Sequence, residues 1–234
     1  MVGFAIAFSA SAPWIAVMTI GAFFLRQPLK TRVLGSANMH VKRTADRFII
    51  LFALVSGTGF VGVALTANAW AFLPIAIAAP LAIQQFVLDI TTRGRSLVAE
   101  LAGAAAITSS VAVAALAAGL GLPTSMALWS VLVGRAIPSI LYVRNRLLKD
   151  KGKDFDIVSP IVAHVAGLAI ISGLAVVGLG SVLTVGVFAI LAARAVFGLS
   201  EKARPAKAMV IGIWEVVFGV LTVASIIAGH YAGI

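Results

Sequence analysis

Residues 47–96 read RFIILFALVSGTGFVGVALTANAWAFLPIAIAAPLAIQQFVLDITTRGRS and contain two apolar stretches of membrane-crossing length. The stretches 47–66 and 69–90 are both close to the roughly 20 residues that an α-helix needs to cross the hydrocarbon core of a bilayer. An uncharged turn joins them, whereas the far end of the second stretch leads directly to Arg93 and Arg95. The segment therefore predicts two antiparallel membrane-spanning helices whose basic ends lie on the same side.

The rest of the chain repeats this pattern of long apolar stretches. Of its 234 residues, 61% are hydrophobic and 11% are charged, and its mean hydropathy is +1.09, whereas a soluble domain has about 25% charged residues. The stretches are too long for barrel strands and lack the period-two alternation of such strands. We therefore predict an all-α, polytopic membrane protein with about eight transmembrane helices in a single domain, 1–234. The predicted spans are 2–25, 47–66, 69–90, 97–119, 124–147, 157–179, 181–199 and 207–231.

Lysines and arginines are confined almost entirely to alternate loops. Of the 18, all except Arg135 and Arg194 lie in these loops or at the helix ends beside them. The positive-inside rule places such loops in the cytoplasm, which predicts a prokaryotic cytoplasmic membrane protein with both termini outside. The net charge of +10 is thereby explained by topology and not by nucleic-acid binding. The chain has no cysteine, which excludes disulfides and thiolate chemistry. The predicted cytoplasmic loops are 26–47, 89–96, 144–156 and 200–207.

The first span is the least regular of the predicted spans. Ser9 and Pro13 interrupt its middle, so residues 2–25 form either one kinked helix or the end of one helix and the start of the next. A third alternative is a cleaved signal peptide, because ASA at 10–12 resembles a cleavage site, although no basic segment precedes it.

Ionisable side chains also occur inside the predicted spans. Such groups are costly in a bilayer, and they usually face the protein interior or an aqueous cavity. The rise of a helix per residue places them in the cytoplasmic half or near the middle of the membrane, and none clearly in the outer half. This distribution predicts a polar cavity that opens to the cytoplasm. The residues concerned include Glu100, Arg135, His164, Arg194 and Glu215.

One face of the fifth predicted span concentrates candidate ligand-binding groups. Arg135, Ser139, Tyr142 and Arg146 follow one another at helical spacing, and Pro138 frees a backbone carbonyl beside Arg135. Guanidinium groups bind phosphate and diphosphate headgroups through two parallel hydrogen bonds. The candidate ligand-binding residues are Arg93, Arg95, Glu100, Arg135, Tyr142, Arg144, Arg146, His164, Arg194 and Glu215.

The same residues also allow a purely structural interpretation. Arg135 and Arg194 could neutralise Glu100 and Glu215 between helices, which would leave no charge for a ligand. The loop arginines could serve only as topology signals. His164 could be a hydrogen-bonded core histidine and not a ligand. The sequence leaves these alternatives open.

Short segments carry a resemblance to a known family. They are FLRQPLK at 24–30, TRGRS at 92–96 followed by ELAG at 100–103, and SILYVRNR at 139–146. Their order resembles the YwiC-like family of integral membrane proteins, whose biochemical role is not established, and more distantly the UbiA superfamily of prenyltransferases. The resemblance covers most of the chain and implies a UbiA-like bundle of helices.

This resemblance also implies what a prenyltransferase site would need. UbiA enzymes hold a prenyl diphosphate through magnesium ions, which two acidic motifs on cytoplasmic loops bind. Asp150 and Asp154 have the Asp-x-x-x-Asp spacing of one such motif, although the lysines between them equally suit a solvated loop of mixed charge. The loop 26–47 offers only Asn38 and Asp46 for the other motif and does not match it.

Two classes of function follow from these observations. The first is a binding or accessory membrane protein that holds an isoprenoid, a quinone or a lipid headgroup in the polar cavity, or that packs into a larger membrane complex. The alternative is a degenerate UbiA-like prenyltransferase that acts on a prenyl diphosphate with Mg²⁺; no other cofactor is indicated. A carrier is less well supported, because no inverted repeat is evident. Membrane lipids are the expected partners, and the sequence does not decide whether the protein is an enzyme.

Overall fold

The computed structural model describes residues 9–34, 38–91 and 96–233. Within these ranges the regular elements are α-helices and one 3-10 turn, which confirms the predicted all-α fold class. Seven of the described segments are long and apolar enough to cross a membrane, and they correspond to the last seven predicted spans. The helices are α1 (Ala12–Leu34), α2 (Met39–Thr66), α3 (Leu73–Thr91, preceded by the 3-10 turn Ala69–Phe72), α4 (Leu97–Thr108), α5 (Ser110–Ala117), α6 (Leu122–Asp150), α7 (Val158–Val176), α8 (Val182–Leu199) and α9 (Ala208–Ala232).

The first helix differs from the first predicted span. Residues 9–11 are not helical, and α1 begins at Ala12. Pro13 lies in its first turn, where the missing N–H costs no helical hydrogen bond. From residue 9 onward, the interpretation of one kinked helix is therefore wrong, and a new helix starts here. Residues 2–8 of the predicted span lie outside the described residues.

Much of the predicted loop 26–47 is helical. Since α1 continues to Leu34 and α2 begins at Met39, the basic residues of this segment lie mostly on helix ends. The loop prediction is wrong here because apolar length measures only the part of a helix that the bilayer covers. Arginine, lysine and glutamine are themselves good helix formers. With its 28 residues, α2 is about 42 Å long, which exceeds the hydrocarbon core of about 30 Å.

The chain divides into two compact units. Of the described residues, those up to 125 form the amino-terminal unit, and residues 126–233 form the carboxy-terminal unit. The single domain over 1–234 stays a prediction.

Within the amino-terminal unit, α1 and α2 pack with little space between their backbones. A Cβ atom on Gly59 would overlap the backbone of Met18, and a Cβ atom on Gly62 would overlap the Trp14 ring. Ser56 Oγ donates a hydrogen bond of 3.1 Å to the Met18 carbonyl. Small residues allow this approach, and in a membrane it is close packing that holds helices together.

Side-chain amide and hydroxyl groups shape the turns of the same unit. At the predicted uncharged turn, Asn68 Oδ1 accepts from the Ala71 N–H (3.2 Å) and Asn68 Nδ2 donates to the Leu116 carbonyl (3.2 Å). The break between α4 and α5 falls at residues 108–110, where each hydroxyl donates to a carbonyl of the preceding turn. Such hydrogen bonds compete with the helical pattern.

In the carboxy-terminal unit, a proline and two glycines set the packing of α6 against α7. Pro138 has no N–H, so the Gly134 carbonyl loses its helical partner. Gly167 of α7 approaches this carbonyl so closely that a Cβ atom there would lie 2.9 Å from the oxygen. The carbonyl that the proline frees therefore faces protein, as is required of irregular backbone at membrane depth.

Helices α8 and α9 are antiparallel neighbours with two polar levels between them. One level lies at Arg194 and is described below. At the other, Ser225 Oγ donates to Thr184 Oγ1 (3.2 Å). Phe188 and Leu191, which lie between these levels on α8, are buried. Between the two levels on α9, the buried Thr222 hydroxyl donates to the Phe218 carbonyl of its own helix (2.8 Å).

Outside the bilayer, Asp156 caps the start of α7. Its carboxylate accepts from the backbone N–H groups of Val158 (2.7 Å) and Ser159 (3.3 Å). Asn145 Oδ1 accepts from the Asp156 N–H (2.7 Å) and holds the residue in place. Hydrogen bonding from Ser159, first from its side chain, keeps the pKa of the Asp156 carboxyl below its ordinary value. This acidic loop residue therefore serves as a helix cap.

We expect Gly59→Ala to lower the thermal stability of the protein in mild detergent, as measured by far-ultraviolet circular dichroism. The new methyl group would overlap α1 backbone, and overpacking of this kind costs about 1–3 kcal/mol. Gly57→Ala is the matched control on the same helix, because no atom lies within 4 Å of its Cβ position. Equal stability of the two variants would contradict the packing described here.

Candidate functional site

One carboxylate joins three helices of the carboxy-terminal unit. Glu215 of α9 forms an ion pair with Arg194 of α8 through Nη2 and Oε1. Arg135 of α6 lies on its other side, with Nη2 3.4 Å from Glu215 Oε2, and also donates to the Glu215 backbone carbonyl. We call these three residues the arginine–glutamate cluster.

The Arg194 guanidinium contacts two aromatic rings. Its central carbon lies 4.3 Å from the centre of the Tyr142 ring and 4.6 Å from that of Phe218. In such cation–π contacts, the positive charge of the guanidinium is attracted to the face of each ring. The His164 ring meets the Tyr142 ring edge to face, at a centroid distance of 6.4 Å. Tyr142 is therefore a packing centre for the cluster.

Five buried polar atoms around this centre have no hydrogen-bond partner within the described ranges. They belong to four residues: Arg135 (Nε), Ser139 (Oγ), His164 (Nε2) and Arg194 (Nε and Nη1). Both Ser139 and His164 are 4% exposed. His164 Nδ1 lies 2.7 Å from the Pro160 carbonyl oxygen. Nδ1 therefore carries a proton and donates it, and Nε2 is left free to contact another group.

The cluster is not sealed from its surroundings. The side chains of Arg135, Arg194 and Glu215 are 19%, 16% and 18% exposed. Beside Arg135, a Cβ atom on Gly219 would lie 3.5 Å from Nη2, at ordinary contact distance. An added group could therefore reach the guanidinium from this side.

Arg146, predicted as a ligand-binding residue, has its donors committed within the protein. Nε donates to Asp150 (2.9 Å), Nη1 to the Gly198 carbonyl and Nη2 to the Arg204 carbonyl. Lys149 donates to the Ser200 carbonyl beside them. The last carbonyls of a helix lack helical partners, and cations stabilise that end of the helix dipole. These two residues thus cap the end of α8.

The predicted metal pair is not brought together as a site. Asp150 accepts from Arg146 and from the Ala206 N–H (3.3 Å), while Asp154 lies exposed in the following loop. In the described part of the chain, no group of three or more His, Cys, Asp or Glu residues could hold a metal ion. Metal binding at the two aspartates stays a prediction.

The remaining predicted residues lie elsewhere. Arg144 is half-buried on α6, and Glu100 lies in the first turn of α4, in the amino-terminal unit. Arg93 and Arg95 lie outside the described residues. The structure thus brings together Arg135, Tyr142, His164, Arg194 and Glu215 from the predicted set.

Two features of the polar structure escape sequence reasoning. Phe218 covers one face of Arg194, but a phenylalanine in an apolar span carries no distinguishing signal beyond its spacing from Glu215. The second feature is an ion pair between the buried Asp89 of α3 and the partly exposed Arg26 of α1, in which Arg26 Nη2 lies 2.9 Å from Oδ1. Lys30 Nζ approaches the same carboxylate at 3.7 Å. The sequence signal for this ion pair is Asp89 itself, an acidic residue near the end of an otherwise apolar span.

These observations define an integral membrane protein made of helical spans, with a cluster of charged groups inside one of its two units. Residues 1–115 match the model of the family described as YwiC-like protein, which confirms the resemblance to that family. The matched region comprises slightly less than half of the 234 residues, and over this region the chain is similar to the YwiC-like family. No curated protein and no solved structure matches the chain. The arginine–glutamate cluster lies beyond the matched residues, and the resemblance to the UbiA superfamily stays a prediction.

We expect Arg146→Met to lower the free energy of unfolding by about 3 kcal/mol, because it leaves the buried Asp150 carboxylate without its ion-pair partner. The Gly198 carbonyl at the end of α8 and the Arg204 carbonyl in the following segment also each lose a donor. Thermal unfolding in detergent measures the loss. Lys151→Met, at an exposed position one residue after α6, is the control. If both variants unfold at the same temperature, the capping role is excluded.

Proposed function

We propose that this membrane protein binds the polar headgroup of a membrane-soluble ligand at the arginine–glutamate cluster. The observation that carries the proposal is the set of five buried polar atoms without partners around Tyr142. A buried polar group that makes no hydrogen bond costs about 1–3 kcal/mol, and more if it is charged. Five such atoms at one place therefore favour a site that an additional molecule completes.

The chemistry of these atoms fits an oxygen-bearing headgroup. Three of them are guanidinium nitrogens, which can only donate, and a fourth is the Ser139 hydroxyl, which can do so. The ligand must therefore supply several acceptor oxygens. Isoprenoid, quinone and lipid headgroups all supply such oxygens, and their tails would lie along the apolar surface of the spans. Partial exposure of the cluster allows such a group to reach it.

Structural pairing accounts for only part of the cluster. Glu215 contacts both Arg135 and Arg194, which is what a neutralising role requires. However, one carboxylate faces two guanidinium groups, and a carboxylate has a single charge to offer. The second positive charge and the unpartnered donors remain, and they are the part that ligand binding explains.

No contact in the described residues favours the prenyltransferase alternative. Asp150 is held by Arg146 and by backbone, so it would have to leave both to bind Mg²⁺. An accessory role in a larger membrane complex has no observation of its own on which to rest. Headgroup binding is therefore the function that we propose.

We also propose that the basic helix ends face the cytoplasm. In the carboxy-terminal unit, Arg146 and Lys149 contact the backbone of residues 198–204, so the basic ends of α6 and α8 lie at one level. In the amino-terminal unit, the Arg26–Asp89 ion pair places the basic part of α1 and the end of α3 at one level. This agreement within each unit supports the alternation from which the orientation is inferred.

The orientation can be tested with single cysteines, because the chain has none of its own. Lys151→Cys and Val177→Cys lie just beyond opposite ends of α7, and both positions are exposed. In intact cells, we expect a membrane-impermeant maleimide to label Val177→Cys only, and to label Lys151→Cys once the membrane is opened. The reverse pattern would invert the proposed topology.

We expect native mass spectrometry with lipid extraction to find a stoichiometric isoprenoid, quinone or lipid on the protein purified in mild detergent. Ser139→Ala should reduce its occupancy about tenfold without loss of stability, because the hydroxyl bonds to no described protein group. Arg135→Met should remove it. Arg204→Met, which changes an exposed side chain of the same unit, is the control.

Two outcomes would count against headgroup binding. If only bulk lipid co-purifies and Ser139→Ala changes nothing, the cluster is structural. If Arg135→Met unfolds the protein and no variant that folds changes the occupancy, the cluster serves to pair charges between helices.

A further inference from the structure

We infer that the headgroup bound at the arginine–glutamate cluster carries one negative charge and presents at least two acceptor oxygens. This inference rests on the proposed function and narrows it to one ligand class. The matching chemistry is a phosphodiester or a carboxylate on an apolar tail. A neutral quinone and a prenyl diphosphate are both excluded by it.

The charge of the cluster follows from its three members. Arginine stays protonated in proteins, so Arg135 and Arg194 contribute two positive charges. Glu215 contacts both of them and contributes one negative charge. Tyr142 and Ser139 are uncharged groups, and burial of His164, which is 4% exposed, favours the neutral form of its ring. The cluster therefore has one positive charge in excess.

Among the described residues of the carboxy-terminal unit, no other group cancels this excess. The next acidic residue of the unit, Asp150, is held by Arg146, and it lies fifteen residues beyond Arg135 on α6, about 22 Å along the helix. Arg146 and Lys149 add further positive charge at that level. At the opposite level the contact between α8 and α9 is made by the uncharged Ser225 and Thr184.

The free donors set the number of acceptor oxygens. Arg194 Nη2 is taken by Glu215, but its Nε and Nη1 are free within the described residues, as is Arg135 Nε. The contacts with the Tyr142 and Phe218 rings restrict the position of the Arg194 guanidinium and thus of its two free nitrogens. Three nitrogens and one hydroxyl exceed what a single carbonyl oxygen can satisfy, whereas two anionic oxygens can satisfy them.

Charge balance then separates the candidate ligands. A quinone supplies carbonyl oxygens but leaves the positive charge uncompensated inside the membrane, which is costly. A prenyl diphosphate supplies more than one negative charge and reverses the sign of the excess. A headgroup with a single charge brings the cluster to neutrality. Phospholipids and fatty acids are two sources of this chemistry.

The experiment compares four probes on the full chain in an uncharged detergent. They are phosphatidylglycerol, a long-chain fatty acid at a pH that keeps its carboxyl ionised, a menaquinone and a prenyl diphosphate. Binding is measured by native mass spectrometry and by the shift in unfolding temperature, which rises with the occupancy of the folded state. We expect the singly charged probes to bind at least about tenfold more tightly than the others.

Variants that change the charge of the cluster make the test specific. Glu215→Gln raises the excess by one, so the preference should move toward the prenyl diphosphate. Arg135→Gln removes the excess, so binding of the singly charged probes should fall and the menaquinone should no longer be disfavoured. Ser139→Ala changes no charge, and it should weaken the preferred probe about tenfold without altering the order. It also keeps the test intact if a charge variant fails to fold.

The outcomes separate this inference from the proposed function. If menaquinone or prenyl diphosphate binds most tightly and depends on Ser139, the charge inference is overturned and headgroup binding stands. If none of the three substitutions changes the binding of any probe, both the charge inference and the proposed headgroup binding are wrong. A stronger response to phosphatidylglycerol than to the fatty acid supports the inference with a phosphodiester as its source, and the opposite result supports it with a carboxylate.

Discussion

The ion pairs of Glu215 are the interaction on which the carboxy-terminal unit depends. This side chain connects α6, α8 and α9 through two arginines that lie inside membrane spans. Each charge would be costly there alone, so the three helices can only pack in a register that brings the groups together. Contacts with Tyr142 and Phe218 then restrict the position of the Arg194 guanidinium. The geometry of the cluster is thus a condition for folding as well as the basis of the proposed binding site.

The sequence predicts the fold class and seven of the spans correctly, because the length of an apolar stretch directly reflects the thickness of the bilayer. It does not predict where helices end outside the bilayer, and α1 runs to Leu34 instead of residue 25. Outside the bilayer, a polar segment can form either a helix or a loop, so hydropathy does not indicate where a helix ends. The division of the chain into two compact units depends on packing between helices, which periodicity alone does not reveal.

For the candidate site, the sequence identifies the right kinds of residue but not their partners. Helical spacing places Arg135, Ser139 and Tyr142 on one face, and the structure turns that face toward α8 and α9. Arg146 lies on the same face, yet it caps α8, because the position of a carbonyl on another helix cannot be read from spacing. The role of Phe218 cannot be predicted from the sequence for a related reason, because it depends only on the contact of this ring with Arg194.

Buried Phe188 and Leu191 separate the cluster from the Ser225–Thr184 level toward the other ends of α8 and α9. Along this pair of helices, a polar group at the cluster would therefore meet large buried side chains before the Ser225–Thr184 contact. A site that is bounded in this way could hold a ligand without opening a leak for protons or ions, which a membrane that stores energy as an ion gradient requires. For the proposed headgroup, the buried Phe188 and Leu191 side chains would favour retention over passage.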